Sequence, residues 1–171
     1  MGKNLTLTGM MGVGKTTIGR NLAKKLNYKF IDVDKLIEIK EGQTIGSIFK
    51  SKGENYFRKI ENNTVLSELK RSNAVISLGG GAFINNSIRR NTKKMSVSFW
   101  LDVPLEILVQ RLKKNNLRPL LDKKNINETI KKIYFERKKI YNEANYRIKC
   151  NSLKTEEIVK KILGLYEKST N

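Results

Sequence analysis

The stretch GMMGVGKTT spaces two glycines, a lysine and a threonine as Gly9, Gly14, Lys15 and Thr16, the G-x-x-x-x-G-K-[ST] pattern of a loop that wraps phosphate oxygens. Glycine lets the backbone turn tightly enough for successive N–H groups to point inward, and the N-terminus of the helix that follows adds positive potential. Lys15 would reach the β- and γ-phosphates of a nucleoside triphosphate, and the Thr16 hydroxyl would ligate Mg2+. Such a loop usually works with an acid at the end of a neighbouring strand, which supports the metal through water. VSFWLD ends in Asp102, but Pro104 begins a helix there and a nearby Asp is an ordinary capping residue. AVISLGGG carries no acid. FIDVDK carries two, Asp32 and Asp34, which on an extended strand would share one face ~7 Å apart. Alone, this pair reads as a strand end, solvated or capping the next helix. Beside the phosphate loop, Asp32 becomes the candidate metal anchor. Asp34 is then left to accept or orient a hydroxyl, since the chain has no histidine to serve as base.

The arginines are the next candidates. Arg58 lies between Glu54 and Glu61 in GENYFRKIE, at helical spacing that by itself indicates surface ion pairs. Arg137, in FERKKIY, reads equally well as a solvated helix residue. A carboxylate-bearing substrate would recruit both, because the guanidinium fork binds carboxylates bidentately. Gly79, Gly80 and Gly81 follow an apolar run; they read either as a flexible turn or as backbone that a ligand approaches closely, and three in a row favour the ligand. Arg118, beside Pro119 in a polar stretch, reads as a plain loop residue or as a lid arginine closing over the γ-phosphate.

These residues need a frame that brings them to one edge. Short apolar runs at 4–8, 30–33, 74–78, 97–101 and 146–150 read as strands, and helical periodicity lies between them: Ile18, Leu22 and Leu26, then Leu105, Leu108 and Leu112, then Ile126, Ile130, Ile133 and Tyr134. Alternating strand and helix predicts a parallel sheet covered on both faces. The stretch TEEIVKKILGLYEK, with Ile158, Ile162 and Leu165 on one face, suits a final helix. At 171 residues and 39% hydrophobic content, without a dividing linker or repeat, the chain reads as one domain over 1–171. No apolar run is long enough to cross a bilayer, so a soluble cytoplasmic protein is expected. The lone Cys150 has no disulfide partner and reads as small hydrophobic filler near a strand end. The net charge of +19 is spread over lysine pairs such as Lys24-Lys25 and Lys160-Lys161 among many asparagines, a solvated surface rather than a nucleic-acid stripe.

Taken in order, GMMGVGKTT, DVDKLIE, GQTIGSIF, GENYFRKIE, SLGGGAF, WLDVPLEILVQRL, RPLL and RKKIYNEA resemble the shikimate kinases, members of the nucleoside monophosphate kinase-like P-loop group, from Gly9 to about Ala144. The resemblance implies a three-layer α/β/α P-loop kinase fold with a five-stranded parallel sheet in the order 2-3-1-4-5. It further implies a substrate-binding helical region at about 34–61 and a mobile lid at about 113–125. The implied reaction is ATP-dependent phosphorylation of the 3-hydroxyl of shikimate, a step toward chorismate and the aromatic amino acids. The implied species is a monomer with Mg2+ as cofactor and no specific nucleic-acid or membrane partner. Carried over by position, Gly12, Val13, Gly14, Lys15, Thr16 and Thr17 would hold ATP, with Arg111 near the adenine and Asp32 supporting the metal on Thr16 through water. Asp34 would bind and activate the acceptor hydroxyl, Arg58 and Arg137 would take the carboxylate, and Gly80 and Gly81 would meet the ring hydroxyls. Lys15, Asp34 and the lid residue Arg118 would carry the catalysis. Two alternatives remain: a gluconate- or nucleotide-type kinase of the same group, and an ATP-regulated nucleic-acid-binding module suggested by the charge.

Overall fold

The computed structural model describes residues 3–114, 126–151 and 153–170. The five apolar runs form strands β1 (Asn4–Thr8), β2 (Lys29–Asp32), β3 (Ala74–Ser77), β4 (Ser96–Asp102) and β5 (Tyr146–Lys149). Every pairing is parallel, in the order β2-β3-β1-β4-β5. All residues of β1, β3 and β4 are buried; since alternate side chains point to opposite faces, both faces of the sheet are covered.

The covering helices are α1 (Lys15–Leu26), α2 (Val33–Glu41), α3 (Ile45–Leu69), α4 (Asn86–Met95), α5 (Leu105–Lys114), α6 (Ile126–Tyr141) and α7 (Thr155–Thr170). α1 packs against α7, and α3 against α4. Two polar residues inside the sheet, Asn4 and Thr6, are paired across elements, whereas the buried Thr8 hydroxyl has no hydrogen-bond partner among the described residues. The Asn4 amide donates to the carbonyls of Leu69 and Arg71 and accepts from the Ala74 N–H, and the Thr6 hydroxyl donates to Ser96 Oγ at 2.6 Å. α3 is interrupted at Gly53, whose φ of 80° and ψ of 172° are not helical, so Arg58 rides on the second of two helical pieces.

Two expectations are corrected. Asp34 is not on a strand: β2 ends at Asp32 and α2 begins at Val33. The cause is the capping alternative, because Asp32 Oδ1 accepts the Lys35 N–H at 3.3 Å and turns the backbone into a helix at once. Asp102 is not an ordinary capping residue. Its buried carboxylate accepts the Tyr134 hydroxyl at 3.1 Å and the Arg147 guanidinium at 2.8 and 2.6 Å, joining β4 to α6 and β5. Burial, then the charge of Asp102, pushes the Tyr134 phenol up to about 12. Among the described residues, no helix is long and apolar enough to cross a membrane.

Candidate active site

Two cavities open at the carboxyl edge of the sheet, where ligands bind in open parallel sheets. The smaller, about 290 Å3, is lined by Gly12, Gly14, Lys15, Thr16, Asp32 and Asp34 together with Ser77 and Leu78. The larger, about 670 Å3, is lined on its charged side by Asp34, Arg58, Glu61 and Arg137, with Gly80 and Gly81. That volume falls in the range of small-molecule sites. Thr16, Asp32 and Asp34 line both cavities, so the two spaces meet at these three side chains.

The phosphate loop joins β1 to α1. At Gly9 the backbone has φ +135°, and a Cβ would lie 2.8 Å from the Leu101 carbonyl oxygen, so no other residue fits. Gly14 caps α1 with no side-chain hydrogen bond, and the first turn carries no acid, leaving amide donors and a positive dipole end facing the smaller cavity. Lys15 Nζ curls back along the loop and donates to the carbonyls of Gly9 and Met10 at 2.9 Å each. Thr17 is exposed in the first turn of α1. Arg111 on α5 donates to the carbonyls of Gly12 and Val13 at 3.3 and 3.4 Å, bracing the loop from the far side.

Thr16 Oγ1 donates to Asp32 Oδ2 at 2.7 Å. Asp32 thus caps α2 with one oxygen and takes the phosphate-loop threonine with the other. Two residues on, Asp34 sits in the first turn of α2, where a carboxylate is favoured by the helix dipole. The expected shared strand face is therefore absent, yet both carboxylates border both cavities.

The wall of the larger cavity is a charge cluster. Arg58 Nη1 donates to Glu61 Oε2 at 2.8 Å, and its Nε and Nη2 donate to Glu54 Oε1 at 3.2 Å each. The surface-pair expectation holds for Glu54 and fails for Glu61, which is 2% exposed. Burial pushes the Glu61 carboxyl above the ordinary carboxylate range, Arg58 and more weakly Arg137 pull it back, and Asp34 pushes it further up. Arg137 also belongs to this wall: it lies on the stripe of α6 that carries Ile130, Tyr134 and Tyr141, and its Nη1 donates to the Gly80 carbonyl at 3.0 Å. That stripe was the available signal against a solvated reading. The three glycines sit in crowded surroundings, where a side chain would displace a site group or press on the phosphate loop. A Cβ at Gly79 would come 2.5 Å from Asp34 Oδ1, one at Gly80 3.2 Å from the Met11 nitrogen, and one at Gly81 2.9 Å from Arg58 Nη1.

Sequence reasoning missed the apolar lining from Phe49 and Phe57, whose rings lie 4.7 Å apart, and the reach of Met11, Lys35 and Glu38 into the cavity. Nothing in their spacing separated them from ordinary core and helix-surface residues. Arg118 and most of the expected lid, 115–125, lie outside the described residues.

A phosphate loop whose cavity meets a second one walled by two arginines, Arg58 and Arg137, and two carboxylates, Asp34 and Glu61, can hand a phosphoryl group to a small acceptor. The fold and site are those of a P-loop kinase acting on a small molecule. A family model for shikimate kinase matches residues 11–167, and the chain belongs to the shikimate kinase family. Its relatives include the shikimate kinase of Sulfurihydrogenibium sp., 45% identical over 94% of this chain and 96% of that one. Another is that of Persephonella marina, 43% identical over 95% and 98%. Among solved structures, shikimate kinase from Acinetobacter baumannii in complex with shikimate superposes with a TM-score of 0.93, at 34% identity, covering 99% of this chain and 95% of that one.

Proposed function

We propose that the chain transfers the γ-phosphoryl group of ATP to the 3-hydroxyl of shikimate, yielding shikimate 3-phosphate and ADP on the route to chorismate. One observation carries the reading: the phosphate cavity and the charged acceptor cavity share Asp34, flanked by Thr16 and Asp32. An acceptor seated by its carboxylate on Arg58 and Arg137 would turn a ring hydroxyl toward Asp34, with Gly80 and Gly81 letting the ring lie against backbone. Asp34 then holds that hydroxyl in line and takes its proton as the bond to phosphorus forms. The amides of Gly12 to Thr17 would cradle the phosphates, and Lys15, released from the loop carbonyls, would follow the charge onto the β–γ bridge. Arg111 would lie beside the adenine, and Arg118, outside the described residues, would complete the site as the lid arginine.

The Thr16 hydroxyl and Asp32 carboxylate, 2.7 Å apart where the cavities meet, are hard oxygen donors. They suit Mg2+, which takes one or two protein oxygens and fills its octahedron with phosphate and water. When bound, it would neutralise charge on the β- and γ-phosphates. The enzyme would work as a cytoplasmic monomer with no specific nucleic-acid or membrane partner.

A coupled ADP-release assay over shikimate, gluconate and nucleoside monophosphates tests the proposal. Turnover is expected with shikimate. ADP release with another acceptor and none with shikimate would overturn it, as would RNA or DNA affinity at moderate salt with no acceptor phosphorylated.

A further inference from the structure

Tyr141 closes α6 and is 1% exposed, an ordinary core aromatic by burial alone. Its ring stacks on Trp100 with centroids 6.1 Å apart, and its hydroxyl lies 4.0 Å from the Met10 sulfur. The same hydroxyl donates to the Gly80 carbonyl, the oxygen that also accepts Arg137 Nη1 at 3.0 Å. Arg137 and Tyr141 are four residues apart on one helix face, so both reach a single backbone oxygen, and its two lone pairs take both donors.

That oxygen belongs to the peptide between Gly80 and Gly81, two residues whose backbones are little restrained by sterics. A trans peptide directs its carbonyl and its N–H to opposite sides. Holding the Gly80 carbonyl toward α6 therefore directs the Gly81 N–H away from α6.

We infer that Tyr141 is a positioning residue for the acceptor: its hydroxyl fixes the Gly80–Gly81 peptide and, through the shared oxygen, the Arg137 guanidinium. The inference rests on reading the larger cavity as the acceptor site. Tyr141 does not line that cavity; it acts through Gly80 and Arg137. The ring supplies rigidity from the core, and the hydroxyl transmits it to the site.

Tyr141→Phe separates the two roles, because the ring stays on Trp100 while the hydroxyl's bond to the Gly80 carbonyl is lost. The variant is expected to keep its Tm within a few degrees and its KM for ATP, while KM for shikimate rises about tenfold. In the free protein, the amide resonance of Gly81 is expected to move and its hydrogen exchange to quicken. An unchanged shikimate KM, or both KM values rising together with a falling Tm, would overturn the inference and leave Tyr141 a core residue. If the wild-type enzyme fails to phosphorylate shikimate, the acceptor reading falls on its own. The Gly81 amide then decides for Tyr141: a moved resonance supports the coupling, and an unmoved one removes it.

Discussion

Gly79 and Asp34 approach so closely that a single methyl group at Gly79 would stand 2.5 Å from Asp34 Oδ1. This closeness sets the glycine turn that follows β3 against the first turn of α2. The atoms in the way, Asp34 Oδ1 and Glu61 Oε1, are side-chain ends that can swing aside. Gly79→Ala is therefore expected to cost only about 1–3 kcal/mol of stability while lowering kcat by about 100-fold, because the displaced carboxylate no longer meets the hydroxyl. Thermal melts beside steady-state kinetics check this. Near-normal kcat would mean that the Asp34 geometry is not critical.

Asp34→Asn removes the charge and keeps the shape. Turnover should fall by about 10²–10⁴-fold, the usual worth of a positioned base, with ATP affinity retained in a direct binding titration. Retained turnover would leave Asp34 no more than a lining residue.

Asp32→Asn probes the metal role separately from the cap. Asparagine caps helices about as well as aspartate, so Tm should hold, while the Mg2+ concentration for half-maximal rate rises about 10–100-fold as a supporting carboxylate is lost. A Mg2+ titration with an unaltered midpoint would exclude that role.

Arg58→Lys keeps a positive charge beside Glu61 but loses the fork that spans Glu61 and Glu54. The KM for shikimate should rise about tenfold or more, with kcat less affected. An unchanged KM would remove Arg58 from acceptor binding.

Cys150 is a buried thiol, and burial followed by the charge of Asp102 pushes it from 9.0 up to about 11. The folded state therefore favours the protonated thiol. Its contribution to stability is full below pH 9 and is lost as pH rises through about 11. At pH 8 a thiol reagent should label no cysteine in the native protein and one after denaturation. Rapid native labelling would mean that the thiol is accessible.

The sheet order was legible through the family resemblance, and its parallel character through the alternation of apolar runs with helical periods. β1 and β4 are buried along their whole length even though Asn4, Thr6 and Thr8 alternate with leucines in β1, so polarity alone did not mark an exposed face. The acids were harder. FIDVD contains no signal that separates a strand continuing through Asp34 from a cap at Asp32, because aspartate suits both and the choice is made by one hydrogen bond to Lys35. Arg58 was seen with both its glutamates, but helical spacing does not say which partner faces the interior, so the burial of Glu61 stayed hidden. Tyr141 stood in a quoted motif without a role, since a bond to a backbone carbonyl 61 residues away leaves no trace in local periodicity.

The phosphate loop is encoded within the first seventeen residues, yet its parent strand pairs only with β3 and β4, Leu5 with Val75 and Asn4 with Ser96, and Gly9 leans on the Leu101 carbonyl. During synthesis the chain must therefore emerge to about residue 102 before the loop has walls to close against, and parallel pairings of such separation form slowly. The first part of the site to leave the ribosome is among the last to take shape.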